Sequence, residues 1–206
     1  MRRLFFTAPS AYTNNRMKVV AIVGLSGAGK SEVARLFEEH GFERVRFGDL
    51  TDQEVRRRGL KLNESNERLV REDLRKVHGM AAYAKLNLPR IETARQNGNV
   101  VIDGLYSWEE YRLLKSHFGE NFYVVAVWAS PKTRYRRLAE RAVRPLSPEE
   151  AASRDAAEIE NLNKGGPIAM ADFTIANGAT MKSLAAETEN IFRSLYSDGT
   201  KTPGNR

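Results

Sequence analysis

KVVAIVGLSGAGKS, residues 18–31, decides how the rest of this chain reads, because an apolar run passes without a break into Gly24-x-x-x-x-Gly29-Lys30-Ser31. That spacing is the Walker A pattern, in which successive backbone N–H groups wrap a triphosphate. Glycines at 24, 27 and 29 keep side chains out of the path between backbone and phosphate. Lys30 is expected to reach the β- and γ-phosphates and Ser31 to ligate Mg²⁺, with the helix that opens near Lys30 turning its positive end toward the anion. The donor site so defined takes in Gly24, Ser26, Gly27, Ala28, Gly29, Lys30, Ser31 and Glu32. A dinucleotide-binding G-x-G-x-x-G is excluded: counted from Gly27, its last position is Glu32.

The chain of 206 residues is long enough for one domain with a full core. It contains no cysteine, which excludes disulfides and thiolate metal sites, and His40, His78 and His117 are scattered without ligand spacing. No run approaches the ~18 apolar residues of a membrane span, so the expectation is a cytoplasmic protein with no membrane partner. The net charge of +7 is concentrated at the ends, and residues 17–196 carry +3. That surplus is ordinary for a protein handling phosphorylated anions.

Residues 1–16 hold arginines and hydroxyls but no acid. The readings open for them are an organellar presequence, a flexible basic arm, or an upstream start ahead of Met17. Residues 19–23 form the first strand, and the helix after the loop shows Val33, Leu36 and Phe37 on one face with Gly41 as its stop. A second strand, 44–47, ends at Gly48-Asp49, where a carboxylate lies at the ligand edge of an open α/β sheet. Asp49 also reads as an N-cap for a helix over 51–60. From 51 to about 88 the spacing of Val70, Leu74, Val77, Ala81 and Ala84 predicts an amphipathic helical insertion.

Residues 99–103 (NVVID) make a third strand whose terminal Asp103 has the form of a Walker B carboxylate for Mg²⁺. Trp108, Tyr111, Leu114 and Phe118 mark a helix face that packs as core, and 122–128 is a fourth strand. Arg134, Arg137, Arg141 and Arg144 then share one face if a single helix carries them, which predicts a phosphate-facing lid; a solvated or RNA-binding surface is the other reading. Ser147-Pro148-Glu149-Glu150 starts a second lid helix with a capping box. Gly165-Gly166-Pro167 is expected to end that helix, 172–176 is a fifth strand closed by Asn177-Gly178, and 181–195 is a final helix before a polar tail from 197.

This arrangement is similar to the nucleoside monophosphate kinase superfamily of P-loop proteins. ASPKTRYRRLAER (129–141), Arg154 and ADFTIANGATMKSL (171–184) resemble dephospho-CoA kinases, and VVIDGLYS (100–107) resembles a related archaeal family of predicted nucleotide kinases. The resemblance implies a three-layer α/β sandwich with a five-stranded parallel sheet in the order 2-3-1-4-5. It also implies a kinase domain over 17–196, with an acceptor-binding insertion at about 50–90 and a lid at about 134–165. On the same grounds ATP and Mg²⁺ are the cofactors and a nucleotide-like small molecule is the acceptor. Arg137, Arg141 and Arg154 would close on the moving phosphoryl group, and the backbone at Asn177 and Gly178 would approach the adenine.

Two stretches depart from the dephospho-CoA kinase pattern. Gly48-Asp49-Leu50-Thr51 lacks a second carboxylate, and Asp103-Gly104-Leu105-Tyr106 replaces an apolar, proline-containing stretch. Gly48-Asp49 resembles adenylate-type kinases instead, with Arg56, Arg57 and Arg58 reaching an acceptor phosphate and Asp49 and Asp103 also on the acceptor side. Asp49 is then a general base toward a hydroxyl acceptor or an orienting group toward a phosphate. The competing functions are a nucleoside monophosphate kinase, a nucleic-acid-directed P-loop kinase or NTPase, and a nucleotide-binding regulator without phosphotransfer.

Overall fold

The computed structural model describes residues 17–197. The expectations for 1–16 and 198–206 lie outside the described residues. Five strands, β1 (Val19–Val23), β2 (Glu43–Arg46), β3 (Val100–Asp103), β4 (Phe122–Trp128) and β5 (Phe173–Ala176), form an all-parallel sheet in the order β2-β3-β1-β4-β5. β1 lies at the centre and every one of its residues is buried, as a strand covered on both faces requires. β2, at the sheet edge, reads ERVR and buries only Val45.

Alternation along the strands divides the core between the two faces. Val19, Ala21 and Val23 face a layer built from α4 (Ala82–Arg95) and α5 (Trp108–Phe118), where Tyr83, Ile91, Leu114 and Phe118 pack. Val20 and Ile22 face α1 (Lys30–Glu39) and α9 (Met181–Ser197), where Phe37, Phe42 and Phe192 cluster with ring centroids 4.4–6.0 Å apart. The fold is the expected three-layer sandwich.

The insertion is three helices rather than one stripe: α2 (Asp49–Arg57), α3 (Glu64–His78) and α4. Gly79 ends α3 in left-handed backbone (φ 80), and Val77, placed on the buried stripe by its spacing, is 74% exposed. Asp49 does not cap α2 but lies in its first turn, behind Gly48.

The lid differs in the same way. The arginine helix, α6 (Pro131–Ala139), stops before Arg141 and Arg144, so the four arginines share no single helical face. The second lid helix, α7 (Pro148–Glu160), carries the predicted capping box: Glu150 N donates to Ser147 Oγ (3.2 Å) and Ser147 N to Glu150 Oε2 (2.8 Å). Gly165-Gly166-Pro167 does not end α7 but opens a separate short helix, α8 (Gly165–Ala169).

Ser107 caps α5 by accepting from Glu110 N (3.1 Å) while its hydroxyl donates to Met80 O (2.9 Å), so one buried side chain ties α5 to the insertion. Ser107→Ala is expected to lower stability by about 1–2 kcal/mol in chemical denaturation, the loss of a cap plus an orphaned carbonyl.

Candidate active site

The phosphate loop is shaped by contacts at its back. A Cβ on Gly24 (φ +148) would stand 2.3 Å from Val127 O, and one on Gly29 (φ +103) would stand 2.2 Å from Asn177 Nδ2. Asn177 Nδ2 donates to Ala28 O (2.8 Å), so this buried residue holds the loop through its side chain, and Gly178 beside it is exposed. No side chain caps α1, which leaves its first N–H groups free to bind an anion.

Lys30 Nζ donates to Leu25 O within the loop (3.1 Å). Burial, and next the charge of Lys164, pull the Lys30 ammonium down to about 7, against the attraction of Glu158 and Asp103. Glu158 on α7 is the hub of this cluster: it accepts from Ser26 Oγ (3.1 Å), Arg154 Nε (3.3 Å) and Lys164 Nζ (2.7 Å). Burial alone would raise its carboxyl, but Lys164, Lys30 and Arg154 outweigh that and hold it well below the usual range.

Asp103, at the end of β3, is buried, and its Oδ2 accepts from Arg44 Nη2 (2.5 Å), leaving Oδ1 outside the pair. Ser31 is exposed at the start of α1, and Glu32 beside it pairs with Arg35 (3.3 Å). One hydroxyl and one carboxylate oxygen suit Mg²⁺, which takes few protein ligands and fills its shell with phosphate and water.

Asp49 lies at the end of β2 as expected, with both oxygens taken: Oδ1 by Arg46 Nη1 (2.9 Å) and Oδ2 by Arg90 Nη2 (3.2 Å). Arg56, Arg57 and Arg58 are not brought to it. They sit exposed about 10 Å further along α2, where Arg57 and Arg58 pair with Glu54 and Arg58 also reaches Asp73.

The lid arginines divide by partner. Arg134 is buried against Asp155 in a two-pronged pair (2.8 and 2.6 Å) and donates to Ser26 O (3.1 Å). Arg144 is engaged by Glu67 (2.8 Å), and Arg154 by Glu64 (2.8 Å) as well as Glu158. Arg137 carries a buried Nη1 with no hydrogen-bond partner, and among the described residues no carboxylate pairs with Arg137 or Arg141. Burial and the charges of Arg154 and Arg144 press the Arg141 guanidinium below its ordinary value.

With this geometry in view, the relatives are informative. A family model described as AAA domain matches residues 20–160. The UPF0200 protein of Thermococcus kodakarensis is 33% identical over 183 residues, which are 87% of this chain and 98% of that one. The chain belongs to the UPF0200 family. Solved structures share its fold at low identity. A shikimate kinase from Bacteroides thetaiotaomicron superposes with a TM-score of 0.57 at 13% identity, covering 87% of this chain and 98% of that one. A dephospho-CoA kinase from Campylobacter jejuni superposes with a TM-score of 0.53 at 15% identity, covering 88% and 98%. This UPF0200 chain therefore has a P-loop-kinase-like fold. No helix among its described residues is long and apolar enough to cross a membrane.

Sequence reasoning missed Arg44, Ser26 as a partner of Glu158, the Arg134–Asp155 pair, Glu158 and Lys164. Only α7 carried a readable signal. Ala151, Asp155 and Glu158 form its buried stripe while Ile159 is 50% exposed, and acids on the inward stripe of a helix demand cationic partners.

Arg134→Ala is expected to destabilise the UPF0200 chain by about 3–5 kcal/mol in urea, because it strands Asp155 without its partner. A second expectation concerns Glu110, fully buried on α5, whose carboxyl is pushed up to about 7 by burial against the Tyr106 N–H bond. A carboxyl raised in the folded state binds its proton more tightly there than in the unfolded chain. Stability should therefore fall as pH rises from about 4.5 to 7, and Glu110→Gln should flatten that slope in melts run across the window.

Proposed function

We propose that this protein transfers the γ-phosphoryl group of ATP to the hydroxyl of a nucleotide-like small molecule, in the manner of a dephospho-CoA kinase. The observation that carries the reading is the uncapped start of α1, with Lys30 in its first turn, in a chain whose lid arginines Arg137 and Arg141 have no carboxylate partner among the described residues. The loop amides and Lys30 would hold the β- and γ-phosphates, and Ser31 and Asp103 would hold Mg²⁺. When bound, ATP would supply the activated phosphoryl group and Mg²⁺ would neutralise part of its charge. Arg137 and Arg141 close over the charge that spreads on the equatorial oxygens. Arg154, already tied to Glu64 and Glu158, orients the lid around them. Arg46 and Arg90, the guanidiniums beside Asp49, both bind its carboxylate, and this supports a hydroxyl acceptor over a second phosphate. Asp49 orients the acceptor side, since a loose phosphoryl-transfer transition state asks little of a base.

The test is ADP release with ATP and Mg²⁺ across dephospho-CoA, nucleoside monophosphates and 5′-hydroxyl oligonucleotides. Stimulation by dephospho-CoA is expected. Stimulation by monophosphates alone moves the assignment to a nucleoside monophosphate kinase, by oligonucleotides alone to a nucleic-acid kinase, and by no acceptor, with ATP still bound, to a regulator. Lys30→Ala is expected to cut turnover at least about a hundredfold. Asp49→Asn is expected to cost about tenfold, short of the hundredfold or more that removal of a general base produces.

A further inference from the structure

Lys164 has no part in that reading, yet it is 1% exposed and stands among the groups around the loop. Its backbone aims it inward. Asn163 adopts left-handed backbone (φ 49), a region Asn tolerates, and Lys164 N donates to Glu158 O (3.2 Å). The turn is pinned to α5 from outside: Trp108 N donates to Leu162 O (3.3 Å), and a Cβ on Gly166 would stand 2.7 Å from the Trp108 ring. Held this way, the ammonium lies 5.3 Å from the centroid of the Tyr106 ring and 2.7 Å from Glu158 Oε2. Glu158 Oε1 receives Ser26 Oγ of the loop and Arg154 Nε of the lid.

Burying a lysine this fully strips its ammonium of hydration. A surface ion pair would avoid that cost, so the position asks for a use. Glu158 faces three cations besides its serine contact: Lys164, Lys30 and Arg154. Lys30 is the one a phosphate needs, and the carboxylate that attracts it is also the one Lys164 grips.

We propose that Lys164 is a positioning residue for the phosphate-binding loop, fixing the Glu158 carboxylate so that it clamps Ser26 to Arg154 and stays turned away from Lys30. Lid helix α7 and the loop then move as one unit. Without Lys164, Glu158 swings to Lys30 and competes with phosphate for it. The clamp is a property of the folded chain, whereas its use in phosphoryl transfer rests on the function proposed above.

Lys164→Gln, Glu158→Gln and the double variant test this by hydrogen exchange and by calorimetric binding of inorganic tripolyphosphate. In Lys164→Gln the amides of residues 24–31 and of α7 should exchange about tenfold faster together while β4 and α9 keep their protection, and tripolyphosphate affinity should drop about tenfold. Glu158→Gln should loosen the same two segments without that loss of affinity. The double variant should recover the affinity that Lys164→Gln loses, and that loss should persist at roughly 0.5–1 M salt, the range that screens a simple change of charge. Faster exchange confined to residues 161–170, or a double variant that binds no better than Lys164→Gln, overturns the proposal. If Lys164→Gln does not fold, Glu158→Gln decides: unchanged exchange in residues 24–31 overturns the clamp. A wild-type chain that binds no tripolyphosphate removes the phosphate reading, and the exchange measurements still decide the clamp.

Discussion

One buried guanidinium organises the mouth of the sheet. Arg134 spends its donors on Ala129 O at the end of β4, on Ser26 O in the loop, and on both oxygens of Asp155 in α7. Its planar fork suits that task as a lysine ammonium would not. By holding β4, loop and lid helix together, it seats α7 so that Arg154 and Glu158 face inward. A buried ion pair is seldom the most stable filling for its space. What it supplies here is a single arrangement of β4, loop and lid helix.

Several arginines of β2, the insertion and the lid sort into two populations. Arg44, Arg46, Arg71, Arg90, Arg144 and Arg154 each have a carboxylate within 3.4 Å, and together they stitch insertion to lid and strand to helix. Taken singly, half-exposed pairs of this kind contribute little to stability. Their effect on the site is subtractive: they settle which cations are unavailable to a ligand. Arg137 and Arg141 are the lid arginines left without a carboxylate partner among the described residues.

The sequence announced the loop, the five strands and the capping box because each is a local pattern: an apolar run, a glycine spacing, a Ser-Pro-Glu-Glu start. Even the single-helix errors were local, since hydrophobic spacing ran on past Gly79 and arginine spacing ran on past Ala139. What stayed hidden depends on pairs distant in the chain, such as Ser26 with Glu158, Arg44 with Asp103, and Arg154 with Glu64. Lys164, one lysine in NLNKGG, reads as a solvated loop residue. Only the turn at Asn163 and the Trp108 wall behind it direct the side chain inward, and neither leaves a mark on composition. Asp49 shows the converse: its position at the end of β2 was legible, but the two arginines that occupy it come from β2 and α4.

The Asn177 contact has a bearing on how the chain is made. The loop is among the first parts of the domain to leave the ribosome, yet the side chain that braces Ala28 O lies 149 positions later. During synthesis the glycine-rich segment must wait, without its brace, until β5 has been added to the sheet edge. The brace on the loop is thus completed only in a chain that has been read through its fifth strand.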